Sequence, residues 1–463
     1  MTLTKNQIHP LTIDGLTAEG MGIGRIGGMA VFVGAAAPGD VVSCRVIKAK
    51  KNYAVGRIEE IIFPSPDRIP SDCPASRMCG GCAFRHMTYP AELRAKRQRV
   101  IDAMERIGEI TTPVDEIVGA TDTERYRNKA QFPIRRGPDG KAVLGFFAQR
   151  SHRVIPIITE RGGDCLLHPK IFGEIARDVG GWADKYNIPP YDETNHTGLL
   201  RHLFIRLAEA TGEIMVCLVI NGESIPHSGE LIKELTEKYP DIKSIQININ
   251  AAKTNAVMGE ECIVLHGRET ITDRLCGLEF DISPRSFYQV NRGQAERLYA
   301  IAAGFAGLKA GETLLDLYCG TGTVGLSIIS NTSFENSLIG VEIIPEAVED
   351  ARKNAGKNGV ANARFICADA GEAASRLTCE GCLPDVVVLD PPRKGASADT
   401  LAAIAGMSPS RVVYISCDPA TLARDLAILR GHGYAPRRIT PVDMFPRTAH
   451  VETVVLLQRG DTA

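Results

Sequence analysis

The segment "YISCDPATLARDL", residues 414–426, sets Cys417 beside an aspartate, between a β-branched run and what reads as the start of a helix. A thiol in that place is either a nucleophile or one more buried sulfur, and cysteine is commonly buried and inert. Three other stretches carry groups of comparable chemistry. "VVVLDPPRKG" ends an apolar run on Asp390, with two prolines stiffening the backbone that follows. "HVETVVLL" opens an apolar run on a lone carboxylate, Glu452, which by itself reads as a strand residue facing solvent. "CPASRMCGGC" supplies Cys73, Cys79 and Cys82, and an isolated Cys165 follows in "RGGDCLLHP". Three close thiolates and one distant one complete a four-sulfur set, which suits either a 4Fe-4S cluster or zinc, and the spacing does not separate the two.

The elements that must position these groups follow from hydrophobic patterning. In the last third, "ETLLDLYCGTGTVGLSII", "SLIGVEII", "ARFICAD", "PDVVVLDPP", "RVVYISCD" and "HVETVVLLQ" are short apolar runs separated by helix-length segments. Such alternation builds a doubly wound, mostly parallel α/β sheet that binds ligands beyond the carboxyl ends of its strands. Cys417, Asp390, Glu342 and Asp369 each fall at such an end. The first of these strands ends on an acid and leads into Gly320, Thr321 and Gly322, where glycine lets backbone approach a ligand closely. Upstream, residues 11–62 read as short strands joined by Gly-rich turns, a small β-barrel. "FPSPDRIPSD" reads as a linker, and "YPAELRAKRQRVIDAMERIG" as an amphipathic helix with a basic face that stops at Gly108. Residues 120–285 alternate β-type runs and helical stretches, an α+β arrangement. The expected division is 1–62, 73–290 and 291–463.

Bulk properties bound the function. A chain of 463 residues, 44% hydrophobic and 23% charged, has the composition of a globular protein of two or three domains. No apolar run approaches the roughly 18 residues that span a bilayer, and "MTLTKNQIHP" is no leader, so the expectation is a cytoplasmic protein with no membrane partner. Thirteen cysteines without an export signal argue against a disulfide framework and for metal or thiolate chemistry. A net charge of −2 leaves nucleic-acid binding to local patches. Thr121 to Arg153 holds eight Lys or Arg against three acids, and "VIKAKKNYAVGR" is a second basic stretch. No coiled coil or partner helix is encoded, so no obligate protein partner is expected.

The strand-end acids and the Gly-rich turn together resemble class I S-adenosylmethionine-dependent methyltransferases, in which Glu342 would accept hydrogen bonds from the ribose hydroxyls and Asp369 from the adenine amino group. A thiol has a specific use in such a cleft. C5 of uracil is too poor a nucleophile to attack a methyl sulfonium, so a thiolate must first add to C6 and generate an enolate. The C5 proton must then leave, which needs a base. Five motifs, "SFYQVNRGQAERL", "DLYCGTGTVGL", "DPPRKG", "SCDPATLARDL" and "HVETV", occur in the order and approximate spacing of the RNA uracil-C5 methyltransferase family, from about residue 120 to the C-terminus.

That resemblance implies Cys417 as the nucleophile, Glu452 as the base, and Asp390 as a partner of the uracil edge near N3 and O4 that steadies the enolate. It implies that Gln289, Tyr318, Thr323, Glu342, Asp369 and Asp390 line the cofactor site and that Phe287 packs near the flipped base. Thr323 falls where relatives can carry asparagine. The cysteine pattern, with its fourth member in a "C.L.HP" context, resembles the iron–sulfur branch of the family and implies a 4Fe-4S cluster on Cys73, Cys79, Cys82 and Cys165. "GLTAEGMGIGRIGGMAVFVGAAAPGD" resembles a TRAM domain, an RNA-binding barrel akin to OB folds, with Lys48, Lys50, Lys51 and Arg57 as phosphate contacts. Barrel, cluster and catalytic domain together resemble the 23S ribosomal RNA uracil-C5 methyltransferases, the transfer RNA branch being expected to lack both accessory parts. The expected function is therefore C5 methylation of uridine in 23S ribosomal RNA. Transfer RNA is the second substrate reading, and a catalytically inactive iron–sulfur RNA-binding protein the third.

Overall fold

A computed structural model describes residues 3–149, 151–156, 164–254, 256–330, 332 and 336–460. Arg150, one of the cations counted in the first basic stretch, lies outside them.

The N-terminal strands β1 (Ile8–Thr12), β2 (Gly15–Leu16), β3 (Gly22–Ile26), β4 (Met29–Val33), β5 (Val41–Ala49) and β6 (Tyr53–Phe63) form one sheet in the order β1-β5-β6-β4-β3-β2. The sheet curls until the Asp14 amide donates to Ile23 O at 2.7 Å. Alternate residues point inward, so Leu11, Val31, Val33, Val42, Cys44 and Val46 fill a small core, as period-two patterning requires. Lys48, Lys50 and Lys51 stand exposed beside Ile47 and Tyr53, whereas Arg57 is paired with Glu59 at 2.7 Å. The proline-rich segment after the barrel has no regular element, but Arg68 within it bonds the buried Asp40 at 2.5 Å and is tied to the barrel.

Helix α1 (Tyr89–Arg106) follows. It belongs with the C-terminal sheet and not with the middle domain that the sequence suggested: Val100, Ala103 and Met104 pack in one cluster with Leu315, Leu317 and Leu422. The middle domain is a seven-stranded sheet, β13-β12-β11-β10-β7-β8-β9, built from β7 (Lys129–Arg136), β8 (Ala142–Phe147), β9 (Val154–Pro156), β10 (Leu200–Leu207), β11 (Ile214–Ile220), β12 (Ile242–Ile249) and β13 (Glu261–Gly267). Only β11 and β12 run parallel. Helices α2 (Lys170–Lys185) and α3 (Ser228–Lys238) cover one face with Phe172, Trp182, Leu231 and Leu235. The other face gives Phe204, Met215 and Cys217 to a cluster shared with the C-terminal half, so the two halves are continuous through their core.

A hairpin of β14 (Ile271–Leu275) and β15 (Leu278–Ile282) leads into α4 (Arg292–Ala306). The C-terminal domain then alternates β16 (Thr313–Leu317), α5 (Thr323–Ser330), β17 (Ser337–Glu342), α6 (Pro345–Lys357), β18 (Ala363–Cys367), α7 (Ala370–Cys379), β19 (Val386–Leu389), α8 (Ala398–Met407), β20 (Arg411–Ser416), α9 (Pro419–Gly431), β21 (Tyr434–Val442) and β22 (Glu452–Arg459). Their order in the sheet is β18-β17-β16-β19-β20-β22-β21. The first five are parallel, and β17, β16, β19 and β20 are largely buried, which is why their sequences read as apolar runs, whereas β18 at the edge leaves Arg364 and Cys367 exposed. β22 enters antiparallel between β20 and β21. No helix among the described residues is long and apolar enough to cross a membrane.

Candidate active site

The antiparallel β22 brings together two residues that lie 35 positions apart. Its register with β20 runs from Arg411↔Gln458 to Ser416↔Thr453, so the next step sets Cys417 against Glu452. Side chains directly opposed across such a pair have Cβ atoms about 4.5–5.5 Å apart. β19 lies parallel to β20 on its other side, with Leu389 beside Tyr414, so Asp390 leaves the sheet at the same edge. The three candidate reacting groups therefore meet at one point of the sheet.

Their surroundings favour protonated forms. Burial pushes the Cys417 thiol up to about 11, the charges of Glu452 and Asp390 add to this, and Arg393 opposes it. Glu452 is 5% exposed, and burial together with Asp390 raises its carboxyl far above the usual range, again opposed by Arg393. Burial raises Asp390 likewise. These are the expected directions for acids moved out of water and crowded by like charge. The next residue, Asp418, caps α9 by accepting from the amides of Ala420 (2.9 Å) and Thr421 (3.1 Å), which fixes the backbone that carries Cys417.

The cofactor candidates lie along the same carboxyl edge. After β16, Tyr318 adopts φ +65°, a left-handed conformation that costs a non-glycine residue about 1 kcal/mol or more. Gly320 and Gly322 follow at φ +54° and +84°. The Gly320 amide donates to Glu342 Oε2 at 3.1 Å, which joins the turn to the end of β17. Glu342 Oε1 accepts from the amides of Ile343 (2.8 Å) and Ile344 (3.0 Å). Asp369 is exposed and caps α7 through its Oδ1, 2.9 Å from the Gly371 amide. Thr323 is buried in the first turn of α5 with its hydroxyl 3.2 Å from Tyr299 Oη. Phe287 and Gln289 lie in the loop before α4. Phe287 is 62% exposed, and Gln289 is buried with its carbonyl accepting from Asn128 Nδ2 at 2.9 Å.

Three residues at this edge were not singled out from the sequence. Asp316, at the C-terminal end of β16, accepts from the Gly325 amide at 2.8 Å, yet its buried Oδ1 has no partner among the described residues. That orphaned oxygen beside the Gly-rich turn fits a site that takes up a polar ligand. Arg393 is exposed and its charge acts on both Cys417 and Glu452. Arg99 reaches from α1 to within 3.5 Å of Asp418. The acid was visible as a strand end, but nothing in the local sequence marks either arginine.

The four expected metal cysteines converge only loosely. Cys73, Cys79, Cys82 and Cys165 line one cavity of about 300 Å³, together with Arg85, Arg127, Lys129 and Val290. Among the described residues no three His, Cys, Asp or Glu side chains gather as a single metal ion requires. Burial raises Cys79, Cys82 and Cys165, the last to about 12.

A parallel sheet in this order, with acids along its carboxyl edge and a late antiparallel strand, is the class I methyltransferase fold. The chain matches the tRNA (Uracil-5-)-methyltransferase family over residues 202–460 and the TRAM domain over residues 3–58. An RNA methyltransferase of Halalkalibacterium halodurans is 42% identical over 98% of both chains, and one of Clostridium tetani is 43% identical over 98% of this chain and 96% of its own. The crystal structure of Pyrococcus abyssi tRNA (uracil-54, C5)-methyltransferase in complex with S-adenosyl-L-homocysteine superimposes with a TM-score of 0.76 at 26% identity, covering 97% of this chain and 100% of that one. The chain belongs to the tRNA (uracil-5-)-methyltransferase family, carries a TRAM domain and is an RNA methyltransferase. The Pyrococcus abyssi enzyme, named for a transfer RNA substrate, aligns along nearly the whole chain, so overall length and architecture do not separate ribosomal from transfer RNA enzymes.

Proposed function

We propose that this enzyme methylates C5 of a uridine in 23S ribosomal RNA. The observation that carries the C5 chemistry is the register that sets Cys417 against the buried Glu452, with Asp390 at the same edge. Cys417 Sγ, as the thiolate formed when its proton passes to solvent, adds to C6 of a uracil turned out of its stack, leaving enolate charge on C5 and O4. Asp390, whose carboxyl burial raises to about 7, donates to the uracil edge in its protonated form and steadies that charge. S-adenosylmethionine supplies the electrophilic methyl group. Glu452 then removes the C5 proton, its raised pKa matching it to this task near neutral pH, and expulsion of Cys417 restores the ring. Glu342 would hold the ribose, Asp369 the adenine, and Gln289, Tyr318 and Thr323 the rest of the cofactor, with Phe287 stacking on the base.

For the cysteine chamber we favour a 4Fe-4S cluster on Cys73, Cys79, Cys82 and Cys165, because about 300 Å³ leaves room for a group larger than one ion. Methyl transfer moves no net electrons, so the cluster would order the surrounding backbone. The similarity to the Pyrococcus abyssi enzyme favours a second substrate reading, transfer RNA. The test is tritium release from RNA labelled at uridine C5, comparing the native chain with Cys417→Ala on 23S ribosomal and transfer RNA. Release from ribosomal RNA that Cys417→Ala abolishes is the expected result. Release from transfer RNA alone would give the enzyme to the second substrate, and release from neither would leave the third reading, binding without turnover.

A further inference from the structure

Arg206, near the end of β10 in the middle domain, is 1% exposed and has no carboxylate partner among the described residues. Its guanidinium donates from Nη1 to Ser283 O and from Nη2 to Ser286 O, each at 2.9 Å, and lies 5.3 Å from the centre of the Phe204 ring. The Nε atom is buried without a partner. A charge buried on two neutral carbonyls is an expensive way to fill a core, since an apolar residue of similar volume would pack there without the desolvation. What a guanidinium alone supplies is a rigid fork that fixes two carbonyls at once.

The two carbonyls bracket one turn, "SPRS", at residues 283–286. The Ser283 and Ser286 hydroxyls lie 2.7 Å apart, each accepts the other residue's amide, and Ser286 Oγ reaches Asp350 of α6 at 3.1 Å. Beyond the turn, Tyr288 Oη is bonded to Asp273 at 3.1 Å, and Asn128 accounts for the carbonyls of Gln289 and Val290 at 2.9 Å each. Phe287 is the one large hydrophobic side chain of residues 283–290 that the fold leaves in solvent.

We propose that Arg206 is a positioning residue for the reaction: from the middle domain it fixes the 283–286 turn, and the turn sets where Phe287 and Gln289 stand against base and cofactor. The inference rests on the reading of Phe287 and Gln289 given above, and the experiment separates the two. Hydrogen exchange is followed by mass spectrometry in Arg206→Lys, which keeps the charge but cannot fork. Amides of 283–290 should exchange at least about tenfold faster, with α4 unchanged. At saturating S-adenosylmethionine, Arg206→Lys should lower kcat/KM for RNA by about tenfold and add nothing to Phe287→Ala in the double variant, as two residues acting through one effect do. Unchanged exchange, or losses that multiply in the double variant, would overturn the proposal. Full activity in Phe287→Ala would overturn the role given to Phe287, while the exchange data still decide whether Arg206 holds the turn.

Discussion

Burial should keep Cys417 a thiol in the free enzyme, and this can be measured without RNA. Burial and the facing carboxylates push its pKa from an ordinary 9 to about 11. At pH 8 the thiolate fraction is then about 10⁻³, a hundredfold below that of a thiol at 9. Higher basicity returns part of the loss, because nucleophilicity rises with a Brønsted slope of about 0.4–0.5, or roughly six- to tenfold here. Alkylation of Cys417 by iodoacetamide at pH 8 should therefore run about tenfold slower than that of a thiol at 9. More tellingly, it should rise about tenfold per pH unit without levelling up to pH 10. The assay is site-resolved mass spectrometry of the peptide carrying Cys417, with the exposed Cys367 and Cys379 alkylated in the same sample as an internal control on reagent. Glu452→Gln removes one of the charges that raise the thiol and should move the whole profile to lower pH, whereas Arg393→Gln should move it higher. A plateau at or below pH 9 in the native chain would refute the reasoning, since the thiolate would then be preformed.

Four further outcomes follow from particular contacts. Lys96, 1% exposed, bonds Glu92 at 2.7 Å and Asp443 at 2.6 Å, so Lys96→Met removes the cation between two buried carboxylates, leaving Glu92 to Arg447 and Asp443 to the Tyr89 hydroxyl, and should destabilise the protein by about 3 kcal/mol in denaturant titrations. Glu452 has a raised pKa in the folded state, so the folded chain binds the extra proton and stability falls as pH rises from the unfolded value through the folded one. Glu452→Gln should accordingly melt higher than the native chain at pH 8, with the difference vanishing toward pH 5. Glu342→Ala should weaken S-adenosylmethionine binding in calorimetry by about ten- to a hundredfold, the loss expected when hydrogen bonds to a charged group disappear. Chain purified without oxygen should carry about four iron atoms and a visible absorption band that Cys165→Ser removes, whereas zinc without iron would exclude the cluster.

The C-terminal half was legible because its inner parallel strands are buried and end on polar groups, so "GVE", "VVVLD" and "YISC" mark strand, edge and candidate residue together. Glu452 was harder. Its local sequence gives a solvent-facing strand residue, and only the antiparallel insertion of β22 turns it toward Cys417. The amphipathic pattern of α1 correctly announced a buried face, but such a pattern names no partner, and Val100 and Met104 pack on the C-terminal sheet. Arg206 was invisible, since in "RHLFIRL" one arginine looks like any other until the turn that accepts its fork is in place. The basic stretch of the barrel was partly overread: Arg57 is spoken for by Glu59, while Lys48, Lys50 and Lys51 remain exposed. The choice of ribosomal over transfer RNA leaned on accessory parts, and overall architecture does not decide it, because a transfer RNA enzyme aligns over 97% of the chain.

The central claim is that Cys417 attacks uracil and Glu452 completes the reaction. Incubating Glu452→Gln with RNA and S-adenosylmethionine, then resolving protein under denaturing conditions, tests both at once. The account predicts a covalent protein–RNA species whose linked uridine already carries the methyl group, absent from the Cys417→Ala/Glu452→Gln double variant. Free methylated RNA at the native rate from Glu452→Gln, or a covalent species that survives loss of Cys417, would contradict it.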